Sequence, residues 1–194
     1  MANKYNIKYT DSNCVEISKP NSSILIYKIP YNEIKKEIID IDITNRFIVY
    51  ILIGKDDNNN DIIYVGKSKN GIDKRPTAHE EDGKHWQICY ILTTFYEKTF
   101  FNDGVIQYIE NTIHKRIAKI NTFITTTKAT NFNTISVTDT EDCDDYIAEA
   151  YKMLYVLGLD ILPISQDEPT SFQQCDDTHN GELTDICMNI LSNI

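Results

Sequence analysis

Apolar and polar residues alternate over the first 29 positions, with Tyr5, Ile7 and Tyr9, then Val15 and Ile17, then Ile24 and Ile26 on the apolar beat. Alternation with period two suits a half-buried strand, so this stretch predicts two or three strands, broken at 19–23 by Lys-Pro-Asn-Ser-Ser. They would form a small accessory sheet. Behind Pro30 the spacing changes, and Ile34, Ile38 and Ile41 predict a short amphipathic helix over 31–41. Two denser apolar runs follow, Phe-Ile-Val-Tyr-Ile-Leu-Ile at 47–53 and Ile-Ile-Tyr-Val-Gly-Lys-Ser at 62–68, separated by a polar Asp/Asn cluster at 55–60. This arrangement predicts an antiparallel hairpin that brings Tyr50 and Tyr64 close if the register allows.

Beyond the hairpin, 67–71 reads as a turn leading into a helical region at 73–81, and 85–92 reads as a third core strand. Asn102-Asp103-Gly104 signals a helix start, and Val105, Ile109, Ile113, Ile117 and Ile120 form its apolar stripe, with Glu110 beside it. A short β-like run at 135–137 precedes an acidic stretch at 139–145, read as the capped, solvated start of a helix carrying Ile147, Tyr151, Leu154 and Tyr155. Gly158 is a natural helix stop, after which 159–164 reads as a strand. Residues 165–182 are polar, which predicts mobility, and 183–191 would add a helical turn or two. The core order β, β, α, β, α predicts an α+β fold, a small mixed or antiparallel sheet flanked by helices. The chain divides into a β-rich extension (1–45), a core (46–133), a helix and strand completing it (134–164) and an acidic tail (165–194).

The length of 194 residues, 41% of them hydrophobic, suits one domain with an extension. No apolar run approaches the roughly 20 residues of a membrane span, and the first residues lack a signal-peptide core, so the expected location is the cytoplasm. Five cysteines, far apart and never in a C-x-x-C pair, argue against a disulfide framework or a zinc site. The net charge of −10 is unevenly spread. Residues 46–128 carry 12 basic and 10 acidic side chains, whereas 129–194 carry 1 lysine and 13 acidic ones. The core can therefore face phosphate while the last third is solvated or meets a basic partner. Gly66-Lys67-Ser68 ends like a phosphate-binding loop, but Asp61 stands where that loop needs glycine, which excludes an ATPase. The acidic run at 139–145 lacks the glycine and spacing of a calcium loop.

Tyr50, preceded by Ile48 and Val49, and Tyr64-Val65-Gly66 resemble the paired motifs of the GIY-YIG nuclease family. The resemblance continues in order through Lys74-Arg75, His79, Glu110 and an asparagine, for which Asn131 and Asn133 compete, and covers 47–133. Two positions depart from the pattern: Ile48 replaces a glycine, and Pro76 follows the arginine, so a helix there would begin at Pro76 with Arg75 outside it. The resemblance implies a divalent-metal-dependent endonuclease that hydrolyses DNA, with RNA the alternative substrate. It is closer to restriction and phage-defence members than to homing enzymes, because no separate DNA-binding module stands out. It implies Mg²⁺ or Mn²⁺ on Glu110, Arg75 on the phosphate, Tyr50 accepting the proton of the attacking water, Tyr64 orienting it, and His79 as phosphate partner or alternative base. Lys67, Lys69, Lys74, His85, Asn131 and Asn133 would contact substrate or brace the site. A free tyrosine titrates near 10, so Tyr50 would need positive neighbours such as Lys67 or Arg75.

Taken singly, each of these residues has a plainer role. Among 12 tyrosines, two on strands are ordinary packing residues, Arg75 and His79 are ordinary surface groups, and Glu110 with His114 is an ordinary i, i+4 pair. Trp86 reads as core. Only their ordered conjunction points to catalysis. The competing expectation is a non-catalytic binding or inhibitory protein on the same scaffold, its acidic third contacting a basic partner. The oligomeric state, including a homo-oligomer, is open.

Overall fold

In the computed structural model the alternating N-terminal residues form three strands, β1 (Asn6–Tyr9), β2 (Val15–Ser18) and β3 (Ile24–Pro30), followed by the short helix α1 (Tyr31–Ile34). The denser runs become β4 (Ile48–Asp56) and β5 (Asp61–Ser68). Strand β6 (Lys84–Thr94), helix α2 (Asp103–Ile117), the two-residue β7 (Ile124–Thr125) and helix α3 (Val137–Val156) follow. The structure describes residues 4–9, 13–34, 43, 46–72, 83–95, 101–120, 123–125 and 137–160. The continuation of α1 to 41, the helical region at 73–81, residues 135–136 and the expected elements past 160 lie outside them. No helix among the described residues is long and apolar enough to cross a membrane.

The seven strands form one mixed sheet in the order β1-β2-β3-β6-β4-β5-β7, antiparallel throughout except where β7 joins β5. The N-terminal strands are therefore not an accessory sheet. β3 pairs with β6 from Ile24↔Thr94 to Pro30↔Ile88, which extends the core sheet rather than starting a second one. At the hairpin, the Asp56 carboxylate accepts from Asn58 N (2.9 Å), Asn60 N (2.8 Å) and Asn60 Nδ2 (2.9 Å), while Asn59 takes a left-handed φ of 63°. Asp and Asn suit such turns because their side chains bond nearby backbone and tolerate that conformation.

Both faces of the sheet are buried. Ile24, Ile26, Val49, Ile51, Ile63, Val65, Tyr90 and Leu92 face one cluster, shared with α2 and α3. Leu25, Tyr27, Ile29, Ile48, Tyr50, Leu52, Ile62, Cys89 and Ile91 face the other, together with Tyr31, Ile34, Ile43 and Ile72. Double burial explains why β4 opens with consecutive buried residues rather than alternating ones.

Helix α2 starts where the sequence signals it. Asn102 is extended (φ −141°, ψ 179°) and its side chain accepts from Val105 N at 3.1 Å, satisfying one of the helix's first unpaired donors. Val105, Ile106, Ile109, Ile113 and Ile117 are buried against the first face, and Ile120 lies just past the helix end, half-buried. Helix α3 runs parallel to α2: Tyr108 Oη donates to Asp144 Oδ1 (3.1 Å), and about two turns on, Arg116 lies over the Tyr151 ring (4.7 Å).

The end of the described chain corrects one expectation. Val137 opens α3 instead of closing a β-like run, and the acidic stretch at 139–145 belongs to the start of the helix, as expected. Cys143, Tyr146, Ile147, Ala150, Met153 and Leu154 recur at helical spacing and bury on the first face, and carboxylates near a helix N-terminus are electrostatically favoured. Gly158, at φ +85°, ends the helix as expected, with Leu159 N donating to Leu154 O (2.9 Å). Leu159 then turns into the core, and most of the strand expected at 159–164 lies outside the described residues.

Candidate functional site

The register of the β4–β5 hairpin sets Tyr50 opposite Gly66 and Leu52 opposite Tyr64. Tyr50 and Tyr64 are thus diagonal neighbours on one face, their rings 5.9 Å apart and inclined by 24°. Gly66 makes that approach possible. A Cβ there would lie 2.6 Å from Tyr50 Cζ, Tyr50 Oη and Tyr64 Cε1, so both rings lean over the bare backbone. Trp86 meets Tyr64 edge-on at 6.4 Å. It reaches this face through an irregularity between β4 and β6: Ile53 pairs with Ile88 but Gly54 pairs with Trp86, so Gln87 is the extra residue. Without the bulge, Trp86 and Cys89 would point to opposite faces. Gly54 accommodates it, since a Cβ there would collide with His85 O. Tyr50 is completely buried in this cluster, while Tyr64 is partly exposed.

Glu110 is carried by α2, the helix that covers the opposite face of the sheet. It lies beside the apolar stripe, partly exposed, with its Oε2 shielded from solvent. Gln107, Asn111 and His114, all buried, share this flank at i, i+3, i+4 and i+7 spacing, giving α2 a polar side turned away from α3. Lys67 belongs to the same side of the sheet as α2, not to the tyrosine side. Its Nζ lies 3.5 Å from Asp103 Oδ1, and Lys69 Nζ lies 3.0 Å from Asp103 Oδ2. Those ammonium groups, Lys69 foremost, hold the Asp103 carboxyl below the usual carboxylate range. Lys67 therefore does not serve as a positive neighbour on the face of Tyr50.

His85 stands at the start of β6, exposed, with Nε2 3.0 Å from Asp57 Oδ1 across the hairpin. Lys74, Arg75, His79, Asn131 and Asn133 lie outside the described residues. The structure thus brings Tyr50 and Tyr64 together, adds Trp86 to them, and puts Glu110 and Lys67 on the other side of the sheet. A surface cleft of 640 Å³ between the β2–β3 turn and α3 is lined by Lys19, Ser22, Asp142 and Glu149 among others, and by none of the described candidates.

Asp103 and the buried polar flank of α2 did not stand out as site features in the sequence. Helical spacing of Gln107, Asn111 and His114 was a readable signal for the flank. The two-lysine bridge had none, because it depends on where β5 ends against α2. Among the described residues no three or more His, Cys, Asp or Glu side chains gather in a way that could hold a metal. Comparison with protein-family models, curated proteins and solved structures found no match.

Proposed function

We propose that the chain is a GIY-YIG-like endonuclease that hydrolyses DNA phosphodiester bonds with a divalent metal. The observation that carries this reading is the tyrosine pair stacked across Gly66 on adjacent antiparallel strands. Two phenols brought together over an obligatory glycine form an unusual polar edge within an apolar cluster, in the order the motif requires. The connection β4, β5, β6, α2, with β4 between its neighbours, supports it further.

Tyr64, partly exposed, orients the attacking water, and Tyr50 packs behind it and fixes its ring. Arg75 supplies a planar set of donors to the phosphate oxygens, with His79 and Lys74 contributing further contacts. Glu110 would hold Mg²⁺ or Mn²⁺. A single carboxylate beside the polar Gln107, Asn111 and His114 fits a hard cation that keeps most of its waters. Because Glu110 and Tyr64 stand on opposite faces of the sheet, the phosphate must lie at the sheet edge, where the ion would supply charge neutralisation. Water adds to phosphorus as its proton passes to His79, the alternative base, and the bond to the departing sugar oxygen breaks, that oxygen taking up a proton from solvent.

The test is cleavage of plasmid DNA with Mg²⁺ or Mn²⁺, with a parallel RNA substrate. Wild type cuts, and Glu110→Ala loses about 100-fold or more of the rate, the scale of removing one electrostatic group at a reacting centre. A second reading, a non-catalytic binding protein on this scaffold, is favoured by the complete burial of Tyr50 and by Glu110 riding on the helix of the opposite face. Absence of metal-dependent cutting of either nucleic acid selects it.

A further inference from the structure

We propose that Lys67 and Lys69 form a backbone-phosphate contact on the α2 side of the sheet, and that Asp103 occupies this contact as an internal stand-in for phosphate until nucleic acid displaces it. The contact presupposes the nucleic-acid substrate proposed above. It adds a docking point on the side away from the tyrosine pair, with its own electrostatic gate.

The geometry is that of two cations sharing one oxyanion. Lys69 Nζ sits 3.0 Å from Oδ2 and Lys67 Nζ 3.5 Å from Oδ1, so each ammonium has its own carboxylate oxygen, as two lysines have on the non-bridging oxygens of a phosphodiester. The lysines are two residues apart, at the end of β5 and just beyond it, and so project to the same side. Asp103 is held by a rigid element, the first turn of α2 behind the Asn102 cap. All three side chains reach solvent, Lys69 at 60% exposure and Asp103 at 41%, so a polymer can approach without unfolding anything. Exposed ion pairs of this kind are weak and screened by salt. A polyanion that also reaches other cations of the core therefore displaces a lone carboxylate, and the pair discriminates against isolated small anions, which bring no further contacts.

The experiment measures binding of the full chain to a fluorescein-labelled DNA duplex by anisotropy, in metal-free buffer with chelator so that no cutting occurs, over about 50 to 200 mM salt. Asp103→Asn is expected to tighten binding about fivefold at the low-salt end and to steepen the dependence of log affinity on log salt by about one. Lys67→Gln with Lys69→Gln weakens binding and flattens that slope by roughly two. The triple variant shows no gain from losing Asp103. Asp103→Ser, equally at home in a first helical turn, reproduces the gain and separates it from any change in helix stability. Unchanged or weaker binding by both Asp103 variants overturns the gate while leaving the nuclease reading to the cleavage assay. So does an equal gain in the lysine-free background, which makes the effect one of net charge alone. No DNA binding by any variant overturns the contact outright.

Discussion

Gly66 shows how one missing carbon can organise an aromatic cluster. Its backbone is ordinary extended strand, so its value lies in the space over Cα, which the Tyr50 and Tyr64 rings fill. Gly66→Ala should destabilise the chain by about 1–3 kcal/mol, the usual cost of overpacking, read as a lower urea midpoint at unchanged m-value. It should also change the near-ultraviolet circular dichroism, because the rings must part. At this scale the sequence was only half legible. The motif Tyr64-Val65-Gly66 announced the tyrosine pair, and its realisation needed a register that no local signal specifies. The side taken by Lys67 was in principle readable, since it lies three residues from Tyr64 and strand periodicity sends residues three apart to opposite faces. That Glu110 would ride over the face away from the tyrosines was not readable, because a helix's face depends on how its connection crosses the sheet.

Among the elements, α2 was the most legible. Its start, stripe and polar flank follow from capping chemistry and 3.6-residue spacing, both local. Asn102→Ala should cost about 1 kcal/mol of stability by chemical denaturation, and Asn102→Gly only a few tenths, because the lost group is the side-chain acceptor for Val105 N. Helix α3 was less legible at its start. Ile135, Ser136 and Val137 favour extended backbone locally, and at Val137 packing of the amphipathic stripe behind it overrides that preference. The bulge at Gln87 was hidden as well. It becomes visible only when Gly54 and Trp86 are seen to be partners.

For the molecule as a whole, burial of tyrosines on and beneath the helical layer bounds stability on the alkaline side. Burial raises the phenols of Tyr5, Tyr90 and Tyr146 well above their ordinary value and pushes Tyr151 up to about 12. In the unfolded chain they titrate near 10. Between that value and the folded ones the unfolded state sheds protons first, so stability is intact below pH 10 and falls as pH rises above it. Thermal melts should hold a steady midpoint up to about pH 9 and drop beyond pH 10, with Tyr151→Phe softening the drop.

The pairing of β3 with β6 also sets the smallest piece that can stand alone. The motif-bearing stretch begins near residue 47, and a fragment trimmed to it would strip Leu25, Tyr27 and Ile29 from beneath the tyrosine side and Ile24 and Ile26 from beneath the helices. It would also lay bare the backbone of β6 from Ile88 to Thr94, an invitation to stick to other chains. The N-terminal residues, which no catalytic motif claims, are the wall against which the rest of the molecule is built.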